Sequence, residues 1–171
     1  MDVLLAIPGI LLSLSIIIVT GFGSLQAAFA VGMTSVATFA RLARSQVIQI
    51  AGADYVEAAY GSGATQAQVL LRHVLPNIAA PLIVQTSLSL AFAILSEAAL
   101  SFLGLGIQPP EPSLGRMIFD SQGFVTLAWW MAVFPGAAIF AIVLAFNLLG
   151  DGLRDVLDPK QRTLIESRRK R

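Results

Sequence analysis

Four apolar runs are separated by polar stretches along this chain. The first, Val3 to Gly21 (VLLAIPGILLSLSIIIVTG), carries no charge. Roughly 20 apolar residues suffice to cross a bilayer, so the run reads as a spanning helix, with a kink expected at Pro8-Gly9. The second, Leu25 to Ala40, is shorter and rich in small residues, which let helices approach closely in lipid. The third runs from about Ala79 to Leu103 and holds one acid, Glu97. The fourth runs from about Phe124 to Leu149 and is interrupted by Pro135-Gly136. Trp129 and Trp130 near its start suit an interfacial aromatic belt.

Between the second and third runs the pattern changes. From Gln46 to Tyr60 the apolar positions Ile48, Ala51, Tyr55 and Ala58–Ala59 recur as one helix face. Gly61-Ser62-Gly63 stops that helix, because glycine favours turns and C-caps. Thr65-Gln66-Ala67-Gln68 has the form of a capping box and opens a second helix, with Ala67, Leu70, Leu71 and Val74 along one face. Pro76 and Pro81 mark the return to the membrane, since helices often end just before a proline. The expected architecture is all-α: about four transmembrane helices (3–21, 25–40, 79–103, 124–149) with a helical hairpin in the 41–76 loop.

Composition agrees. The 171 residues are 56% hydrophobic and 12% charged, about half the charged share of a soluble domain. Residue 2 is an aspartate and no basic n-region precedes the first run, so a cleaved signal peptide is not expected. There is no cysteine and a single histidine, which excludes disulfides, thiol nucleophiles and a multi-histidine metal site made by this chain. No catalytic and no metal-binding residue is therefore assigned.

The basic residues set the topology. Arg41, Arg44 and Arg72 lie in 41–76, seven more lie after Leu149, and Arg116 alone lies between the last two runs. Positive residues stay inside, so both termini and 41–76 are expected in the cytoplasm and Leu105–Gly123 outside. The 160–171 tail, ending Arg168-Arg169-Lys170-Arg171, is expected at the anionic inner leaflet or solvated.

Glu57-Ala58-Ala59 ends the first hairpin helix with a shallow, alanine-lined surface beside one acid. Another protein can approach such a surface closely and be oriented through the carboxylate. The alternative is an amphipathic helix lying on lipid headgroups, which would carry Lys or Arg on its polar face. Gln46 to Tyr60 has none, so protein docking is preferred.

Glu57-Ala58-Ala59, then Gly63, then His73-Val74-Leu75-Pro76 resembles the EAA loop of binding-protein-dependent ABC importer permeases. The His-x-Leu-Pro form, Ser96–Pro110 (SEAALSFLGLGIQPP) and Phe146–Pro159 (FNLLGDGLRDVLDP) look like the peptide and nickel branch, in its dipeptide/oligopeptide permease C-like form. The resemblance covers the chain to Pro159. It implies a permease subunit in the cytoplasmic (inner) membrane of a prokaryote, moving peptides or related small solutes, nickel chelates among them. It implies a hairpin that acts as a coupling helix on separate cytoplasmic ABC ATPase subunits, with Glu57 pairing to a basic residue there. Glu57, Ala58, Ala59, Gly63, His73, Leu75 and Pro76 are the candidate docking residues. Further implied partners are a second homologous permease subunit, an extracytoplasmic solute-binding protein and the lipid bilayer; nucleic acid is not among them. The chain has no Walker A pattern, so it is expected to bind no cofactor, with ATP and Mg on the partner ATPase. Permeases of this branch generally carry two more spans before the equivalent of Val3, so an N-terminal truncation, a misassigned start or a fragment is expected.

Glu97, Gln85 and Ser89 are candidates for a translocation path. For Glu97 a structural hydrogen bond is preferred, because an acid in a membrane segment usually faces protein or water. For Gln85 and Ser89 a path-lining role and a helix–helix hydrogen bond stay open. His73 is read as a packing residue at a helix end. The alternatives are a non-transporting membrane remnant that still binds an ATPase, and an intramembrane enzyme, which needs a nucleophile–base pair or a metal helix that the sequence does not offer.

Overall fold

The computed structural model describes residues 6–157; residues 1–5 and 158–171, with the expectations placed on them, lie outside it. Every regular element among the described residues is helical. We number them α1 (Gly9–Thr20), α2 (Ser24–Ala51), α3 (Asp54–Gly61), α4 (Gln66–Val69), α5 (Leu75–Phe102), α6 (Leu114–Ser121) and α7 (Trp130–Leu157). A π-helical stretch, Leu70–Val74, joins α4 to α5, and a 3₁₀ turn, Gln122–Phe124, follows α6.

Among the described residues, three helices are long and apolar enough to cross a membrane: Ser24–Ala51, Gln66–Phe102 and Trp130–Leu157. Within the first apolar run α1 has 12 residues, about 18 Å of helix against a hydrocarbon core of about 30 Å. Ala6 is helical, the helix is interrupted at Ile7-Pro8, and Pro8 stands at the N-cap of α1, as its fixed φ and missing N–H favour.

The other helix ends also depart from the hydropathy pattern. α2 does not stop near Ala40 but continues to Ala51, and α5 does not begin at Ala79 but is continuous with the hairpin. Hydropathy reports where lipid ends, whereas backbone hydrogen bonding continues into water. Pro76 and Pro81 do not break the chain. Pro76 follows the wide π turns, in which the Leu75 N–H reaches the Leu70 carbonyl; that widening relieves the ring–carbonyl clash of an interior proline. Pro135 is likewise housed inside α7.

The fold divides into two compact units. In the unit of 1–38 and 88–147, α1 and α2 form an antiparallel pair: Gly9 lies beside Thr34, and the Ser13 hydroxyl reaches the Ala30 carbonyl at 3.5 Å. Ala27, Ala30 and Val31 are buried with Ile17 and Leu100, so the small-residue run is a packing face as expected. The outward side is apolar: Val19 is 86% exposed and Phe134 70%. Such side chains suit lipid or protein neighbours and not water.

In the unit of 39–87 and 148–171, Val56, Val69, Val74 and Ile78 form the core. Val47 and Ile50 of α2, Ala53, Ala59 and Ala64 of the hairpin, and Leu82 of α5 pack around it. The hairpin is therefore clamped by apolar contacts to the end of α2 and the start of α5.

Candidate functional site

The hairpin begins where Gly52-Ala53 interrupts α2. The Ala53 carbonyl accepts the Val56 N–H at 2.8 Å and starts α3. Asp54 and Glu57 occupy its first turn, where negative charge complements the helix dipole. The expected single helix from Gln46 to Tyr60 is thus two helices. The inward face differs too: Val47, Ile50, Val56 and Ala59 pack inward, while Ile48, Ala51, Tyr55 and Ala58 are exposed.

α3 ends in a Schellman motif. The Ala64 N–H donates to the Ala59 carbonyl at 3.1 Å and the Gly63 N–H to the Tyr60 carbonyl at 2.9 Å. Gly63 sits at the C′ position with φ +87°, a left-handed conformation in which a side chain is strained. Ala59 and Ala64, the residues the motif brings together, both pack on the apolar core.

The second limb opens with the capping box. The Thr65 N–H donates to Gln68 Oε1 at 2.9 Å, and the Gln68 N–H to Thr65 Oγ1 at 3.4 Å. The limb buries Val69 and Val74 and leaves Ala67, Leu70 and Leu71 exposed, against the face expected for an α-helix. Five residues correspond to about 140° of offset on an α-helix. The π turns remove that offset and place Val74 beneath Val69.

Glu57 and Ala58 are exposed on α3, Ala59 turns half inward, and Gly63 lies at the exposed turn beyond them. His73 is half-buried, its ring centroid 6.4 Å from that of Tyr55. Leu75 and Pro76 are exposed at the start of α5. The hairpin thus presents a small exposed surface with Glu57 beside Ala58 and Asp54 one turn before, held by a glycine turn and an apolar base. Such a surface can dock a protein; it carries no reactive group.

The same unit contains a cleft of about 540 Å³ lined by Leu42, Asn77, Pro81, Gln85, Arg154 and Leu157, among others. Gln85 faces it, and Ser89 lies one turn further along α5, half-buried.

Glu97 belongs to the other unit. Ser101, fully buried, donates its hydroxyl to Glu97 Oε1 at 2.6 Å and accepts the Ile107 N–H at 3.0 Å. The acid thereby ties α5 to the backbone of the loop that follows it. Its carboxylate accepts from Ser101 of its own helix, and Ser101 in turn holds the loop. The loop expected over Leu105–Gly123 folds in part as α6, which Ser113 caps by accepting the Arg116 N–H at 3.0 Å. Gly115 brings α6 onto α5 so closely that a Cβ there would lie 2.7 Å from Ala98 Cα. Arg116, the one basic residue of this region, pairs with Asp120 at 3.0 Å and stacks over Phe119. Ser101 and Gly115 were not singled out from sequence; the Glu97–Ser101 spacing of one helical turn was the available signal.

Comparison with known proteins adds a family. Residues 1–163 match the family described as "Binding-protein-dependent transport system inner membrane component". The chain is 44% identical over 162 residues to the dipeptide transport system permease protein DppC of Alkalihalophilus pseudofirmus, covering 95% of this chain and 53% of that protein. It is 45% identical over 160 residues to the di/tripeptide transport system permease protein DppC of Pseudomonas aeruginosa, covering 94% and 53%. It is 45% identical over 159 residues to the glutathione transport system permease protein GsiD of Escherichia coli, covering 93% and 52%. The chain spans about half the length of the curated relatives it matches.

Proposed function

Since the chain belongs to the family of binding-protein-dependent transport system inner membrane components, a family of transport proteins and not of enzymes, we propose that it is the permease part of an ABC importer. It is a multi-pass inner-membrane protein. Its solutes are small peptides or related molecules, the class named for the relatives it matches. The observation that carries the proposal is the hairpin's exposed Glu57–Ala58 surface, ended by the Gly63 turn and clamped to two long apolar helices. On this account cytoplasmic ABC ATPase subunits seat on that surface, and their motion passes through the hairpin core to α2 and α5. A second, homologous permease subunit and an extracytoplasmic solute-binding protein complete the importer.

The proposal includes a fourth span built around α1, residues 1–159 as the membrane domain and 160–171 as a basic cytoplasmic tail. It places both termini and 41–76 inside, on the distribution of Lys and Arg. Glu57, Ala58, Ala59 and Gly63 form the docking face. His73, Leu75 and Pro76 hold its second limb. Gln85 and Ser89 are the path candidates, and Glu97 is a structural anchor.

The test is uptake of a labelled di- or tripeptide by the host, with and without this chain. Loss on deletion and recovery on re-expression are expected; uptake that is indifferent to the chain contradicts the proposal. The same cells report topology. A Ser62→Cys variant has a single thiol, since the chain has no cysteine. It should react with a membrane-impermeant maleimide only after permeabilisation; labelling in intact cells places the hairpin outside.

A further inference from the structure

Tyr55 is out of place for an apolar hairpin residue. Its ring is 45% exposed, and its hydroxyl accepts a hydrogen bond from the Asn77 side-chain amide at 3.4 Å. The same amide donates to the His73 carbonyl at 2.6 Å, inside the π stretch. One side chain near the start of α5 therefore holds both a residue of α3 and the irregular turn that leads into α5. The apolar core beneath sets how closely α3 packs, but hydrophobic contact is non-directional and leaves the helix free to roll. A hydrogen bond is directional and removes that freedom.

We propose that Tyr55 and Asn77 form a latch that fixes the roll of α3, aims the Glu57–Ala58 face, and transfers displacement of that face to α5. They are positioning residues: neither is required to touch an ATPase or a solute. The proposal rests on the docking function given above, and the π turns at Leu70–Val74 are the element the latch braces.

The experiment compares the parent with Tyr55→Phe, Asn77→Leu and the double variant. Tyr55→Phe keeps the ring and removes only the hydroxyl, so folding is spared. One arm uses the chain alone in nanodiscs, spin-labelled at Ser62→Cys and Thr86→Cys, both exposed positions. The other uses the assembled importer and measures ATP hydrolysed per solute imported. The expected result is a broader label-to-label distance distribution in all three variants, with ATPase retention at the parental level. ATP hydrolysed per solute should rise about twofold, since an exposed bond of 3.4 Å stands at the weak end of the net hydrogen-bond range. The double variant should be no worse than Asn77→Leu, which already lacks the Tyr55 bond together with the bond to the His73 carbonyl. An unchanged distribution in Tyr55→Phe overturns the latch. So does a double variant equal to the product of the singles, or a broadened distribution with parental stoichiometry. Failure of the parent to retain an ATPase contradicts the docking function instead, and the nanodisc arm still decides whether the latch orders α3.

Discussion

Gly115→Val should cut the membrane level of this chain severalfold, while Glu97→Gln, in the same packed corner, should leave it near parental. A Cβ at Gly115 would meet the backbone of Ala98, 2.7 Å from its Cα and 2.8 Å from its carbonyl carbon. Backbone atoms cannot rotate aside, so α6 must lift from α5. The expected cost is on the order of 3 kcal/mol, at the upper end of overpacking effects. Against a marginal total stability that should cut the protein level severalfold. Glu97→Gln keeps an oxygen for the Ser101 hydroxyl, so the bond from Ser101 to the loop is preserved. Its level and uptake should remain near parental. Glu97→Leu should fall in between, because it strands a buried hydroxyl at a cost of about 1–3 kcal/mol. Immunoblots of membranes and thermal denaturation in detergent measure all three. Parental levels for Gly115→Val would contradict the packing, and full assembly of Glu97→Gln with abolished uptake would move Glu97 to the translocation path.

Much of the fold was legible because lipid and water select for opposite side chains. The long apolar runs, the polar hairpin between them, the Thr65–Gln68 capping box and the glycine stop were all readable as local chemistry. What escaped reading depends on backbone hydrogen bonding beyond the local pattern. α2 continues to Ala51 because a helix need not end where lipid does. The face of the second limb was misplaced because α-helical periodicity points to Leu70 and Leu71, whereas the π turns bury Val69 and Val74. Pro76 signalled a helix end and instead follows the widened turns. Glu97 was flagged by its charge, but its engagement through Ser101 to the Ile107 N–H needs a tertiary turn that no spacing specifies. The exposed Glu57 and Ala58 and the positive φ of Gly63, on which the proposed docking face rests, were the most readable, since small size, charge and the demand for φ +87° are properties of single residues.

Those residues carry the second large prediction. Glu57→Lys should turn an attractive contact with a basic partner into a repulsive one, a loss on the order of 3 kcal/mol or about a hundredfold in affinity. Ala58→Arg should block close approach from an exposed position. Gly63→Val places a β-branched residue at φ +87°, at a cost of about 1–3 kcal/mol, and tilts the face it supports. Each variant should insert normally, since the changes lie in the polar hairpin. Each should lose the ATPase on purification, or retain it and hydrolyse ATP without uptake.

The central claim is that the α3 surface meets an ATPase, and a photo-reactive residue placed at Ala58 tests it most directly. Irradiation of intact membranes should yield an adduct of this chain with the ATPase subunit, lost when Glu57→Lys is added. An adduct with lipid alone, unchanged by Glu57→Lys, would show α3 lying on headgroups and would contradict the account.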